Sequence, residues 1–194
     1  MMTVNPYEND HLSINKTATT LDLEERMYQV DFEITGTPPE KPIDVILVID
    51  ASGSMGRAIP GDSKAPLYYA KQSAISFANS IIDENPDSRV GVVAFSGGQY
   101  GYSSDAWTVS NLTNDKTSLM NNINNITTHN MTNIQAGFRL AYNKISAISS
   151  TRNSVKSVVF LTDGVANVSI GRSASNDPVV HNAHTKAAYN EGRS

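Results

Sequence analysis

The sequence predicts an α/β domain built on a mostly parallel sheet flanked by helices, with a short β segment in front of it. Three observations predict it. Near-continuous apolar runs at Ile43–Ile49, Arg89–Phe95 and Ser157–Leu161 read as parallel strands buried on both faces. Stretches of helical period separate them. Upstream of a proline-rich break, Tyr28–Ile34 alternates strictly between apolar and polar residues. The expected organisation is a lead-in and β segment over 1–36, a linker over 37–42 and the α/β domain over 43–194.

Residues 1–11 read as a disordered lead-in with neither the basic nor the apolar stretch of a signal peptide. The chain is then either intracellular or a piece of a longer secreted protein. Leu12 and Ile14 can open a first strand. In the next, Tyr28, Val30, Phe32 and Ile34 point one way and Gln29, Asp31, Glu33 and Thr35 the other, as in a half-buried antiparallel strand. Pro38, Pro39 and Pro42 end it, because proline donates nothing to a ladder. The Ile43–Ile49 run is interrupted only by Asp44. A helix is expected over Ser63–Glu84, with Leu67, Ala70, Ala74, Phe77 and Ile81 on one stripe and Asn85-Pro86 as its stop. Ser96-Gly97-Gly98 closes the second run, 99–104 reads as loop, and Ala106–Val109 as a short edge strand. Asp115 can cap a helix carrying Leu119, Ile123 and Ile126. Another helix is expected over Asn133–Ser149, with Ile134, Phe138, Ala141, Ile145 and Ile148 on one face. After Ser157–Leu161, a long polar loop leads to a helical segment from about Val179.

Composition narrows the function. Fifteen Lys and Arg against nineteen Asp and Glu leave the 194-residue chain at −4, which argues against a nucleic-acid binder. No apolar run approaches the roughly 20 residues that span a bilayer. The absence of cysteine excludes disulfides, thiolate zinc sites and cysteine nucleophiles. Sequons at Asn15, Asn111, Asn125, Asn130 and Asn167 read as a consequence of Asn, Ser and Thr richness. His129, His181 and His184 read as solvated. Lys16 has no nameable acceptor for an isopeptide crosslink. Trp107, Tyr100 and Tyr102 read as packing or loop residues, with partner contact as the alternative.

Ligands of open α/β sheets bind outside the carboxyl ends of the strands, where strand order reverses. Two runs end there in aspartate, Asp50 and Asp163. Beside Asp50 stand Ser52 and Ser54, with Gly53 and Gly56 permitting a tight turn, and Thr132 lies just before a helix start. Either aspartate alone could simply cap a helix or turn. Together the five form an all-oxygen set, which suits a hard divalent cation. So few charged ligands would leave the ion able to accept a carboxylate from outside. Other chemistries lack their motifs. Ser52 is not in G-x-S-x-G, no G-K-[ST] follows the glycines, and Ser52 stands where an aspartyl nucleophile would need a second carboxylate.

Asp50-Ala51-Ser52-Gly53-Ser54 resembles the D-x-S-x-S element of von Willebrand factor type A (integrin I-like) domains. Met131–Gly137 is similar to their metal-binding threonine segment, and Leu161-Thr162-Asp163-Gly164 to the segment of their second aspartate. The resemblance covers about 43–194 and implies a Rossmann-like domain with a metal-ion-dependent adhesion site for Mg2+ or Mn2+. It implies that Ser52, Ser54 and Thr132 ligate the ion directly, and Asp50 and Asp163 directly or through water. A partner's Asp or Glu would complete the shell. Asn130-Met131 replaces the Gly-Gly often found before the threonine, so a bulkier loop is expected there. The upstream β segment resembles that of Gram-positive surface and pilus-tip adhesins. The expected function is non-enzymatic: a cation-dependent adhesion domain of a larger bacterial cell-surface or pilus protein, extracellular, binding a host matrix or cell-surface protein. The alternative is a cytoplasmic von Willebrand A-type adaptor for an ATPase or chelatase assembly. A metal-dependent hydrolase is disfavoured, because no general base stands beside the site. Two further strands usual in the family have no counterpart, so the domain is expected to be C-terminally incomplete. Ser157–Leu161 would then be a bare apolar edge, and Tyr28–Ile34 a strand without evident partners.

Overall fold

The computed structural model describes residues 13–22, 27–35 and 41–175, together with 184, 186, 187, 190 and 191. The chain divides into two compact units, Met1–Glu40 and Lys41–Ser194. In the first, β1 (Ser13–Asp22) and β2 (Met27–Thr35) pair antiparallel, with Ile14 opposite Ile34 and Lys16 opposite Phe32. The Tyr28–Ile34 strand therefore has a partner, which the sparse apolar content of Ser13–Asp22 had concealed. The expected lead-in and most of the expected linker lie outside the described residues.

The second unit runs β3 (Ile43–Asp50), α1 (Pro66–Glu84), β4 (Arg89–Phe95), β5 (Ala106–Thr113), α2 (Lys116–Asn124), α3 (Ile134–Ser146) and β6 (Val155–Leu161). Its sheet has the order β5-β4-β3-β6, with β3 parallel to β4 and β6, and β5 antiparallel to β4. This is the mostly parallel α/β architecture expected. β3 shows no alternation because both of its faces are covered. Val45, Leu47 and Ile49 pack with Leu67, Ala74 and Ile82 of α1 and Leu119 and Ile123 of α2. Ile46 and Val48 pack with Phe95 and with Ala136 and Ala141 of α3. At its amino end β3 carries Asp44, fully buried, which accepts hydrogen bonds from Arg89, Arg152 and Ser154.

Several boundaries move. α1 begins at Pro66, whose fixed φ suits the first helical position, so 63–65 is loop. Its buried row is Leu67, Ala74, Ala78 and Ile82, while Ala70, Phe77 and Ile81 are half-buried. Asp115 caps α2 as expected, accepting from the Ser118 amide at 3.0 Å. α3 ends at Ser146, although Ile148 beyond it stays buried. β5 continues to Thr113 because Ser110 and Thr113 still pair with Val92 and Val90. β6 is not buried on both faces. Among the described strands it pairs only with β3, and Val155 and Val158 are exposed.

His184, Lys186, Ala187, Asn190 and Glu191 are helical, while the expected start near Val179 lies outside the described residues. This segment is anchored on α3, where Arg139 grips Glu191 through two hydrogen bonds of 2.8 and 2.9 Å. His184 is fully buried, with Nδ1 2.9 Å from the Ser169 hydroxyl. That corrects the solvated reading, because the helix face bearing it is packed inward. His129 is exposed and meets Trp107 edge-on at 5.3 Å. His181 lies outside the described residues.

Candidate metal centre at the carboxyl edge of the sheet

The chain passes from β3 to β4 on one side and returns to β6 on the other. The carboxyl ends of β3 and β6 therefore flank the point where strand order reverses, and these ends carry Asp50 and, two residues past Leu161, Asp163. Asp50 is fully buried. One of its oxygens accepts from the Ser52 amide at 2.7 Å, the other from the Thr162 hydroxyl at 2.6 Å. The next residues form a 3-10 turn, Gly53–Gly56, with Ser52 as its cap. That turn sets the Ser52 and Ser54 hydroxyls 3.1 Å apart, and Ser54 donates to Asp163 Oδ1 at 2.9 Å. Thr132 arrives from the other side. A Cβ added at Gly164 would stand 3.5 Å from Asp50 Oδ2 and 3.7 Å from Thr132 Oγ1, so both oxygens flank one small gap. The structure thus brings together all five oxygen-bearing residues singled out in the sequence.

The threonine loop is held by its backbone. Asn133, the buried cap of α3, donates its amide to Ser96 O at 2.8 Å, and Met131 donates to Gly97 O at 3.0 Å. Gly53 donates to Asn130 O at 3.1 Å. A side chain at Gly53 would meet that oxygen at 2.9 Å, and one at Gly97 would meet Met131 Cβ at 3.2 Å. The bulkier Asn130-Met131 pair is accommodated because glycines face it. Three supporting residues escaped the sequence reading. Thr162 bonds Asp50. Asn167 accepts from the Thr132 amide through Oδ1 at 2.8 Å and donates its own amide to Thr132 O at 3.2 Å. Asn133 Nδ2 donates to Asp105 at 2.8 Å. Thr162 adjoins Asp163 and has the donor chemistry to be found, but Asn167 lies 35 residues from Thr132 with no spacing signal.

Electrostatics separate Asp50 from Asp44. Burial pushes the Asp50 carboxyl up from its ordinary value and the charge of Asp163 adds to this, while hydrogen bonds from Ser52 and Thr162 pull the other way. Among the described residues no Lys, Arg or His is ion-paired with Asp50. Nor do the described residues hold a cluster of three or more His, Cys, Asp or Glu suited to a metal. The donor set is two carboxylates and three hydroxyls, all oxygen. A buried, uncompensated carboxylate beside a second one fits a divalent cation.

A family model for the von Willebrand factor type A domain matches residues 45–165, from β3 to the segment after Asp163. The chain belongs to the von Willebrand factor type A domain family. Among solved structures, this von Willebrand A-type domain is similar to the vWF domain of the type V pili tip protein Mfa5 from Porphyromonas gingivalis. Identity is 24% over 65% of this chain and 39% of that one, with a TM-score of 0.53. It is also similar to the pilus adhesin SpaC from Lactobacillus rhamnosus GG, at 23% identity over 84% of this chain and 21% of that one, with a TM-score of 0.54. The PilB minor pilin from Streptococcus sanguinis matches at 17% identity over 80% of this chain and 47% of that one, with a TM-score of 0.54. These likenesses show the fold, and the chain spans less than half the length of each. No curated protein sequence matches the chain significantly. Among the described residues, no helix of this von Willebrand A-type domain is long and apolar enough to cross a membrane.

Proposed function

We propose that this domain is a non-enzymatic, divalent-cation-dependent protein-binding module of a bacterial cell-surface or pilus protein. In this reading Asp50, Ser52, Ser54, Thr132 and Asp163 hold Mg2+ or Mn2+, which supplies a positive centre for an Asp or Glu of the partner. Asp50 and Asp163 contribute the only two negative charges, and the three hydroxyls are neutral, so the site retains affinity for an external carboxylate. The buried position of Asp50 fixes its orientation, and the Gly53–Gly56 turn sets the two serine hydroxyls 3.1 Å apart, with Ser54 bonded to Asp163. The observation that carries the reading is the Asp50 carboxylate, buried without a cationic partner among the described residues and flanked by Asp163, at the strand-order reversal. The fold shared with pilus proteins supports an extracellular setting. Calorimetry tests the site: the chain should bind Mg2+ or Mn2+ weakly, and Asp50→Ala should abolish binding while circular dichroism stays unchanged. Undiminished Mg2+ binding by that variant would overturn the assignment.

A further inference from the structure

The turn that carries Ser52 and Ser54 also builds a second feature. Met55 and Gly56, the next two residues, line an open groove of about 470 Å³ whose other wall is Leu67 and Tyr68 at the start of α1. Thr128, before the threonine loop, lies against it. A Cβ at Gly56 would come within 2.8 Å of Thr128 Oγ1, so any larger residue there would have to displace the Thr128 side chain. Met55 and Leu67 are buried and form a fixed apolar floor, while Tyr68 is 44% exposed. The flank is basic. Lys71 lines the groove, tied to Asn124 O at 2.9 Å, and the Lys64 ammonium sits 5.1 Å from the Tyr68 ring centre. Arg57 ends the turn and is exposed. The nearby acid Asp62 is engaged by the Tyr69 hydroxyl at 2.5 Å and the Lys64 amide at 3.0 Å. This basic flank stands out on a chain of net charge −4.

We propose that this groove is a second subsite for the same partner: it takes a leucine- or phenylalanine-sized side chain from an acidic segment whose carboxylate sits at the cation. The proposal rests on the carboxylate reading above. Ser54 and Met55 are consecutive, so their Cα atoms are about 3.8 Å apart, and an extended peptide advances about 3.3–3.6 Å per residue. In this proposal the residue next to the anchoring Asp or Glu is the one that enters the groove. The lysines and Arg57 favour further acids in that segment.

The test uses the whole chain with saturating Mg2+, titrated with three capped dipeptides followed by amide NMR shifts: acetyl-Asp-Phe-amide, acetyl-Asp-Gly-amide and acetyl-Asn-Phe-amide. The Asp-Phe peptide should bind at least about tenfold more tightly than Asp-Gly, the scale of one well-housed apolar side chain. It should shift Met55, Tyr68 and Thr128. Tyr68→Ala should remove most of that advantage, whereas Tyr142→Ala, an exposed tyrosine on α3, should leave it intact. Equal, Mg2+-dependent binding of Asp-Phe and Asp-Gly overturns the groove and leaves the carboxylate reading standing. Binding of Asp-Phe that is indifferent to a chelator, or matched by Asn-Phe, overturns the carboxylate reading as well. No detectable binding of Asp-Phe at millimolar concentration overturns the proposal.

Discussion

Replacing Asp44 by asparagine isolates a single charge whose contribution can be worked from the structure. The Asp44 carboxylate is fully buried at the amino end of β3. Arg89 reaches it with Nε and Nη2 at 2.9 and 3.0 Å, Arg152 Nε at 2.6 Å and Ser154 Oγ at 2.7 Å. Burial alone would push the carboxyl up, but the hydrogen bonds from Arg89, Arg152 and Ser154 outweigh it and bring it from 3.8 down to about 2. At about 1.4 kcal/mol per tenfold change, that drop is worth about 2 kcal/mol. The folded value lies below the unfolded one, so this stability is fully present above the unfolded value and is lost as pH falls toward the folded one. About half of it is already gone near pH 3. Asp44→Asn should therefore unfold in urea with a stability about 2 kcal/mol below the parent at pH 7, and the gap should narrow to about half near pH 3. Both proteins are measured in chelator to keep ion binding out of the comparison. A gap that is absent at pH 7, or as wide at pH 3 as at pH 7, would refute the reasoning.

At the other end of the strand the sign should reverse. Asp50→Asn removes an uncompensated buried charge while keeping an acceptor for the Ser52 amide, so in chelator its melting temperature should equal or exceed the parent's; a clear fall would count against the electrostatic reading. Added Mg2+ should raise the parent's melting temperature and leave the variant's unchanged. Asn167→Ala should loosen the Thr132 loop, speeding amide exchange at Thr132 and weakening Mg2+ binding. Asn167→Asp, which keeps the acceptor, should restore slow exchange at that amide; equally fast exchange in both variants would show that Asn167 does not hold the loop.

What was legible in the sequence was what depends on short-range pattern. β3, β4 and α2 announce themselves by apolar runs or a cap, and the D-x-S-x-S turn puts three oxygen donors within five residues. What was not legible depends on partners distant in the chain. β6 has the composition of a central strand, and its own pattern does not mark the edge position expected for it, where among the described strands only β3 lies beside it. His184 looked solvated because nothing near it in sequence marks the helix face that packs inward. Asn167 and Thr162 serve the site through hydrogen bonds to residues 35 and 112 positions away, and no local periodicity records such a bond.

The contrast between Asp44 and Asp50 bears on what β3 is for. Both carboxylates are carried by one strand buried on both faces, so neither can swing out to solvent to relieve its charge. Asp44 is neutralised from within by two arginines, one at the start of β4 and one just before β6, and so ties three strands together at the amino edge. Asp50 is as fully buried and, among the described residues, has no such partner, only neutral donors and a second carboxylate. Had the carboxyl edge served stability alone, an arginine there would have helped it as it helps the other edge. The deficit of positive charge at Asp50 among the described residues suits the proposed site for an external cation. An arginine at that edge would neutralise Asp50 from within, as Arg89 and Arg152 do for Asp44, and would occupy the proposed site.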